Sequence, residues 1–414
     1  MLPLEGIRVV DFSIAMAGPT CSLLLADFGA DVVKVERPGR ELARNWGSHY
    51  HGENGEFSGL FLALNRNKRG VALDLKSPEG LATVEELIAG ADVVIENFRP
   101  GIADRLGFGY ERARELNPRV VYCSISGFGQ NGPLRDRPGL DMLLQAYCGH
   151  LSITGEEGRP SVRVGHSAID LLAGTHAAFG IMVALHERDR SGVGQRVDTS
   201  LLGSMLALRG LDVALQLMTQ RGDTATSPFH QFMGEETYSR LNPGNPLWNS
   251  YLCGDGKWIA MALLQSDPHW QNFLDALDRP ESLAGDPRFA THLSRCQNCR
   301  SCVELLDGIF ASKPREEWLR RLLAKGDMPI TAMNSMADIG ADVQALENGY
   351  VTSFEHPAAG PTKVPGFPVT LSETPASIRH EAPEFGQHTE EILMEVLEMD
   401  WDDITALREQ QVIL

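Results

Sequence analysis

Ile7-Arg-Val-Val-Asp11, the turn Ser13-Ile-Ala-Met-Ala-Gly18-Pro19, a helical stretch from Thr20 to Phe28, and Asp31-Val-Val-Lys-Val35 together decide the fold of this chain. A β-branched run, a turn of small residues, an apolar helix and a second β-branched run make one βα unit that leads into a parallel strand. The pattern repeats through Gly70-Val-Ala-Leu-Asp74, Asp92-Val-Val-Ile-Glu96, Arg119-Val-Val-Tyr-Cys123 and Gln195-Arg-Val-Asp198. Helical stretches at Pro78 to Ala89 and Tyr110 to Leu116 lie between these runs, with Pro78 in the first helical turn where proline is favoured. Alternation of this kind winds a parallel sheet with helices on both faces, an α/β fold.

A doubly wound sheet invites a nucleotide reading, but the first turn carries no Gly-x-Gly-x-x-Gly and the chain has no P-loop. Hydride transfer with NAD and ATP hydrolysis therefore lose their support. With 414 residues, 43% hydrophobic and 22% charged, the chain reads as a globular protein of two domains. Its formal net charge of −18 excludes a nucleic-acid partner, because phosphate backbones are held by clustered Lys and Arg. No window approaches about eighteen uninterrupted apolar residues, and Met1-Leu-Pro-Leu-Glu-Gly6 lacks the features of a secretory signal. A cytoplasmic location with no membrane partner is expected.

The chain becomes rich in Gly, Pro and Asn between Arg221 and Asn249, which reads as a linker or loop. A second compact region follows, with strand-like Lys257-Trp-Ile-Ala-Met-Ala262 and helices at His269 to Leu277 and Arg315 to Leu323. Proline returns before a last amphipathic helix near Thr389 to Leu397. The expected organisation is a large domain over 1–200, a linker over 201–225 and an inserted smaller α+β domain over 226–330. A return linker and C-terminal segment over 331–414 then pack on the large domain.

Asp170 stands between Val164-Gly-His-Ser-Ala-Ile169 and an apolar run from Leu171 to Leu185. A carboxylate at the start of a buried helix is either a cap for the first-turn N–H groups or a nucleophile. Seven scattered cysteines argue for free thiols in place of a disulfide framework. The cluster Cys296-Gln-Asn-Cys299-Arg-Ser-Cys302 has the look of a ligand run, but thiolates at i, i+3 and i+6 of a helix fan across its surface and converge poorly on one ion. No metal is expected.

Leu4-Glu-Gly-Ile-Arg-Val-Val-Asp-Phe-Ser13, Leu25-Ala-Asp-Phe-Gly-Ala-Asp-Val-Val-Lys-Val-Glu-Arg-Pro-Gly39, Asn65-Arg-Asn-Lys-Arg69, Val94-Ile-Glu-Asn-Phe-Arg-Pro-Gly101 and Ser124-Ile-Ser-Gly-Phe-Gly-Gln-Asn-Gly-Pro133 occur in this order. The set resembles the class III CoA-transferases, a family that includes formyl-CoA and carnitine CoA-transferases and α-methylacyl-CoA racemase. The likeness continues through Gly192-Val-Gly-Gln-Arg-Val-Asp198 to Gly386-Gln-His-Thr-Glu-Glu-Ile-Leu393. It implies a Rossmann-like large domain, a smaller domain on long linkers and two chains interlocked like rings. The implied reaction moves coenzyme A from an acyl-CoA donor to a carboxylic acid acceptor through a covalent aspartyl intermediate at Asp170.

The resemblance also assigns oxyanion donors to the backbone N–H groups of Met16 and Ala17, and CoA contacts to Arg37, Leu73, Lys76, Asn97, Phe98 and Arg105. Some relatives carry glutamine where Met16 stands, and methionine lacks that side-chain donor. Two alternatives stay open. A racemase or epimerase needs a histidine before the aspartate of Pro138-Gly-Leu-Asp-Met142, and Leu140 occupies that place, leaving only His150 or His166 to substitute. A non-catalytic CoA-binding subunit of a heteromeric transferase is the other, and retention of Asp170 argues against it in favour of an active homodimer. Phe229-His-Gln-Phe-Met-Gly234 and Tyr238 either shape a pocket for an acid larger than formate or oxalate, a dicarboxylic or aryl-substituted one with succinyl-CoA as donor, or simply pack a domain interface.

Overall fold

The computed structural model describes the chain except residues 40, 41, 48, 53, 54, 153, 157, 158, 160, 166, 220–238, 242, 358, 359 and 414. Two compact units emerge, one formed by Met1–Cys148, Gly165–Val213 and Gly340–Leu414, the other by Gly149–Val164 and Ala214–Ile339. The division departs from the sequence boundaries. Residues 149–164 belong with the inserted unit, which also runs from 214 to 339 where 226–330 was expected, and the apolar stretch Leu201–Leu208 is a helix of the first unit where a linker was expected.

The first unit is built on β1 (Arg8–Asp11), α1 (Ala17–Asp27), β2 (Asp31–Glu36), β3 (Lys68–Ala72), α2 (Pro78–Ala89), β4 (Val93–Glu96), α3 (Tyr110–Leu116), β5 (Val121–Ser126), α4 (Asp141–Tyr147), α5 (Ala168–Ser191), β6 (Arg196–Ser200) and α6 (Leu201–Leu208). All six strands foreseen in the sequence are present, and they pair in parallel in the order β3-β2-β1-β4-β5-β6. This is the doubly wound Rossmann order, with its switch point between β1 and β4. Alternate residues of each strand face opposite layers. Val9, Val32, Val93 and Val121 meet α1 and α5 on one face, while Val10, Val33, Val94 and Tyr122 meet Leu87, Ile88 and Phe108 on the other. Burial on both faces explains the continuous β-branched runs.

The C-terminal segment completes the second face, where Ile392, Leu393, Ile404, Leu407 and Val412 join that core. Its path is fixed by Arg66, which pairs with Asp27 at 2.7 Å and donates to the Pro365 and Gly366 carbonyls, and by Asn67, which donates to the Ser377 carbonyl. Helix α5 is long and apolar enough by composition to cross a bilayer, although Asp170, His176 and His186 interrupt its apolar run. Ala173, Ala177 and Ile181 of α5 are spent on the core against α1 and the sheet.

The second unit holds a three-stranded antiparallel sheet, with Trp258–Ala262 between Trp248–Leu252 and Ile330–Ala332. Helices Asp267–Ala276, Cys299–Phe310 and Arg315–Leu323 surround a core centred on Tyr251, Phe273, Phe310 and Trp318. This is the α+β architecture expected of the insertion.

Helices α1 and α5 touch backbone to backbone at Gly174. A Cβ there would stand 2.4 Å from the Ala17 carbonyl oxygen and 2.7 Å from the Thr20 Cβ. Helix propensity alone makes Gly174→Ala stabilising by about 1 kcal/mol. The contact reverses the sign, and a loss of about 1–3 kcal/mol in urea unfolding is expected.

Candidate functional site

The carboxyl end of β1 is anchored by buried charge. Asp11, Lys34 and Lys68 lie on β1, β2 and β3, and none of the three exceeds 1% exposure. Lys68 Nζ approaches Asp11 Oδ2 at 3.4 Å and donates to Asn65 Oδ1 at 2.8 Å and the Pro19 carbonyl at 3.1 Å. Lys34 Nζ donates to the Ser13 carbonyl at 2.9 Å, and the hydroxyls of Ser13 and Ser22 donate to the Asp11 carboxylate. Burial raises the Asp11 carboxyl, but Lys68, Lys34 and the two hydroxyls reverse this, so it is held below the usual carboxylate range.

This knot fixes the turn that follows. Ser13 N–H donates back to Asp11 at 2.9 Å, and Ala15 takes the left-handed conformation at φ +62°. Met16 caps α1, its carbonyl accepting from Thr20 N–H and hydroxyl at 2.9 and 2.8 Å, and Ala17 opens the helix. Gly18 is obligatory, since a Cβ there would meet Ser13 Cβ at 2.1 Å. The Met16 and Ala17 N–H groups thus stand at the start of α1, beside the switch point.

Asp170 occupies the first turn of α5 but does not cap it. The cap position is Ser167, at φ +56° and with no side-chain capping bond. The capping carboxylate comes from another helix. Asp141 Oδ2 accepts from Ile169 N–H at 2.7 Å, and the buried Gln145 donates to Asp141 Oδ1 at 2.6 Å. Asp170 lies one turn before Gly174, hence on the α5 face that meets Ala17. Burial, then the Asp141 charge, push the Asp170 carboxyl up to about 7, against a hydrogen bond from the Ser167 hydroxyl. A helix start favours an ionised carboxylate, but here burial and the second carboxylate outweigh the dipole.

Next to the turn lies a cleft of about 180 Å³ whose walls include Asn97, Phe98, Arg99, Arg135, Arg137 and Leu140. Gly127 and Gly139 cross within it so closely that a Cβ on either would stand 2.4 or 2.2 Å from the other's Cα. Arg105 adjoins it, since a Cβ on Gly101 would be 3.6 Å from Arg105 Nη1 and 3.9 Å from Arg135 Nη2. Of these four arginines, only Arg135 pairs with a carboxylate among the described residues, that of Asp136 at 3.5 Å. Glu96, at the end of β4, accepts from Phe98 N–H at 2.8 Å, and burial lifts its carboxyl to about 7.

The structure sorts the residues expected from sequence. Phe98 and Asn97 line the cleft, Arg105 adjoins it, and Met16 and Ala17 lie on the neighbouring turn. Arg37 and Lys76 are exposed just beyond β2 and β3. Leu73, also expected there, has its side chain fully buried among Val35, Val71 and Leu87, and its N–H donates to the Glu36 carbonyl. Both polar atoms of the Asn97 amide are bound to the Ile14 backbone. Arg99, Arg135 and Arg137 went unnoticed in sequence, although Arg99 sits inside a quoted motif and Arg137 precedes Pro138.

The cysteine run is broken by Asn298 into two helices, and Cys299 and Cys302 are buried thiols pushed up to about 12 by burial. Among the described residues no group of three or more His, Cys, Asp or Glu is placed to hold a metal ion. His150 falls in the second unit, while His166 and the segment Phe229 to Gly234 with Tyr238 lie outside the described residues.

A family model described as CoA-transferase family III matches residues 4–389. The chain belongs to this family. The enzyme is 34% identical to a succinyl-CoA–D-citramalate CoA-transferase of Chloroflexus aurantiacus, over 99% of this chain and 98% of that one. It is 35% identical to a succinyl-CoA:glutarate CoA-transferase of Mus musculus, over 98% of this chain and 89% of the relative. Among solved structures, a CaiB/BaiF family protein from Brucella suis superposes with a TM-score of 0.84 at 30% identity, covering 95% of this chain and 99% of that one. The chain is thus a CoA-transferase of family III.

The raised carboxyl of Asp170 has a sign that stability measurements read. An acid whose folded value of about 7 lies above its ordinary 3.8 holds its proton more tightly when folded, so stability falls as pH rises through that window. Asp170→Asn in the transferase therefore raises stability relative to the parent at about pH 8 by on the order of 1 kcal/mol after allowing for partial exposure, seen as a higher melting temperature, and the difference closes near pH 4. Asp141→Asn, which keeps an acceptor for Ile169 N–H, lowers the Asp170 midpoint, as carboxyl carbon NMR would record. An unmoved midpoint counts against the carboxylate pair.

Proposed function

We propose that Asp170 is the nucleophile that carries coenzyme A between acids. Its ionised carboxylate attacks the thioester carbonyl of acyl-CoA, the C–S bond breaks, and a mixed anhydride and CoA thiolate form. The thiolate then attacks the aspartyl carbonyl, releasing the donor acid as its carboxylate and leaving an aspartyl-CoA thioester. The acceptor carboxylate attacks that thioester and expels the thiolate. Attack of the thiolate on the acceptor's acyl carbon gives the new acyl-CoA and restores Asp170. No net proton is exchanged.

The observation that carries this reading is the placement of Asp141 beside the start of the helix that bears Asp170. The Asp141 carboxylate, bound to the N–H of neighbouring Ile169 at 2.7 Å, repels the ionised Asp170; once Asp170 is acylated, that charge is gone and the repulsion with it. Asp141 thus favours the covalent states. The raised midpoint also makes Asp170 a stronger base, hence a better nucleophile, than an ordinary aspartate. The N–H groups of Met16 and Ala17, preset at the start of α1, are the donors for the developing oxyanions. With Met16 in place of a side-chain donor, that stabilisation rests on the main chain.

Arg99, Arg135 and Arg137, with Arg105 beside them, suit the phosphates of coenzyme A, and Phe98 offers an apolar surface to the pantetheine arm or adenine. Arg37 and Lys76, exposed just beyond the neighbouring strands, are assigned to the same ligand as further cations. For substrates we propose succinyl-CoA as donor and a dicarboxylic acid larger than oxalate as acceptor, since the two relatives above are named for succinyl-CoA with citramalate or glutarate. We further propose an interlocked homodimer, because Leu171, Phe179 and Val183 of α5 and Leu208 of α6 are exposed, Phe179 at 70%. The cysteines are all free thiols, in keeping with a cytoplasmic setting.

Incubation with succinyl-CoA should add a CoA-bearing mass to the peptide containing Asp170, and Asp170→Asn should show neither the adduct nor transfer. Adduct formation falls about tenfold per pH unit below about 7, following ionisation of Asp170. A pH-independent adduct, or one on another residue, would sink the assignment. Arg99→Ala and Arg137→Ala should each raise KM for acyl-CoA about tenfold with little change in kcat, an effect that weakens as salt is added.

A further inference from the structure

The turn bearing Met16 and Ala17 is held from two sides, and only the inner side is explained by the buried charges of Asp11, Lys34 and Lys68. The outer holder is Asn97. Its Oδ1 accepts from Ile14 N–H at 2.8 Å and its Nδ2 donates to the Ile14 carbonyl at 2.7 Å, so one amide side chain satisfies both polar groups of one residue. This pair continues the sheet by side chain where main-chain pairing ends. Strands β1 and β4 pair through Asp11 and Ile95, and Phe12 N–H still donates to the Ile95 carbonyl at 2.9 Å. Beyond that point the two chains diverge, and Asn97 bridges the gap.

The residue after Ile14 is strained. Ala15 at φ +62° occupies a region that L side chains rarely visit, and it keeps that conformation only if its neighbours over-determine it. Gly18 makes the clamp sterically possible, since a Cβ there would press on Ser13 and lie 3.4 Å from Asn97 Cγ. On its other side Asn97 is continuous with Phe98 and Arg99 of the cleft, and Glu96 pins the Phe98 N–H at 2.8 Å.

We propose that Asn97 is a positioning residue that holds the Ile14–Met16 turn in its strained form, and so couples occupation of the Phe98–Arg99 cleft to the placement of the Met16 and Ala17 N–H groups. The catalytic half of this inference rests on the function proposed above; the clamp itself does not. It differs from the role assigned to Asn97 in sequence, a contact with coenzyme A. An amide with both ends committed to Ile14 has little left for a ligand, whereas a misplacement of about 1 Å at oxyanion donors can lower turnover about a hundredfold.

Asn97→Ala removes both bonds, and Asn97→Asp keeps the acceptor for Ile14 N–H but sets a carboxylate oxygen against the Ile14 carbonyl. Hydrogen exchange of the free enzyme should quicken at least about tenfold in the segment 12–17 of both variants, while amides of Val10 and Val94 in the core strands stay protected. In the transferase assay kcat should fall about tenfold to a hundredfold, with KM for acyl-CoA within about threefold of the parent. Unchanged exchange in segment 12–17 overturns the clamp. Quickened exchange with KM raised and kcat kept overturns the coupling and restores Asn97 as a ligand contact. If no CoA transfer occurs in the parent, the exchange experiment still decides the clamp, so failure of the proposed function is distinguishable from failure of this inference.

Discussion

A carboxylate with no exposure, neutralised by two equally buried lysines, is the constraint on which the first unit depends. Asp11, Lys34 and Lys68 come from three adjacent parallel strands, and the register that sets Asp11 opposite Lys34 is the one that brings the charges together. Leaving one such charge unpartnered in the interior is far worse than replacing the whole set by apolar residues, commonly by about 3–5 kcal/mol. The network is therefore a device for specificity of register more than for bulk stability. Its hydrogen bonds end on Ser13, Pro19 and Ser22, the residues that lead into α1 and form its first turns. Sheet register is thereby converted into the position of a helix start.

The second fixed relation runs from that helix start to Asp170. Because α1 and α5 meet at Gly174 through backbone and a threonine side chain, no flexible side chain intervenes between the donors at Met16 and Ala17 and the turn that bears the carboxylate. Sites supported by such rigid contacts need little reorganisation as charge develops. Asp141 adds a role that neither helix supplies alone. It takes over the capping of α5, which Ser167 at φ +56° leaves unmade, and in doing so brings a second negative charge to Asp170.

The sheet was legible because its information is local. Each β-branched run announces a strand, and the six runs appear in the structure with boundaries shifted by only a few residues. Pro78 to Ala89, Tyr110 to Leu116 and Thr389 to Leu397 are helices with those same bounds. What escaped the sequence is set by distance along the chain. Asp141 and Ile169 are 28 residues apart, and Asn97 and Ile14 are 83 apart, so neither capping by Asp141 nor clamping by Asn97 leaves a local pattern. Leu73, a position brought in by family resemblance, lies at a strand end with its side chain in the core, a placement no local pattern announces. Assignment of 149–164 to the inserted unit likewise depends on packing that no composition change marks.

A chain of net charge −18 recognising a polyanionic thioester is a contradiction only if charge is counted globally. Ions screen exposed charges beyond about 8 Å at physiological strength, so the potential in a cleft is set by the groups that line it. Arg99, Arg135, Arg137 and Arg105 gather around one opening although they come from separate stretches of the sequence. Farther off, the same enzyme confronts Asp170 with Asp141. In the proposed reaction the two arrangements are complementary: the arginines would hold the permanent charges of a carrier, while the Asp141 charge would favour the loss of one negative charge when Asp170 is acylated. Overall negative charge then disfavours indiscriminate capture of other anions, and only a ligand with phosphates spaced for the cleft gains enough from the arginines to overcome it.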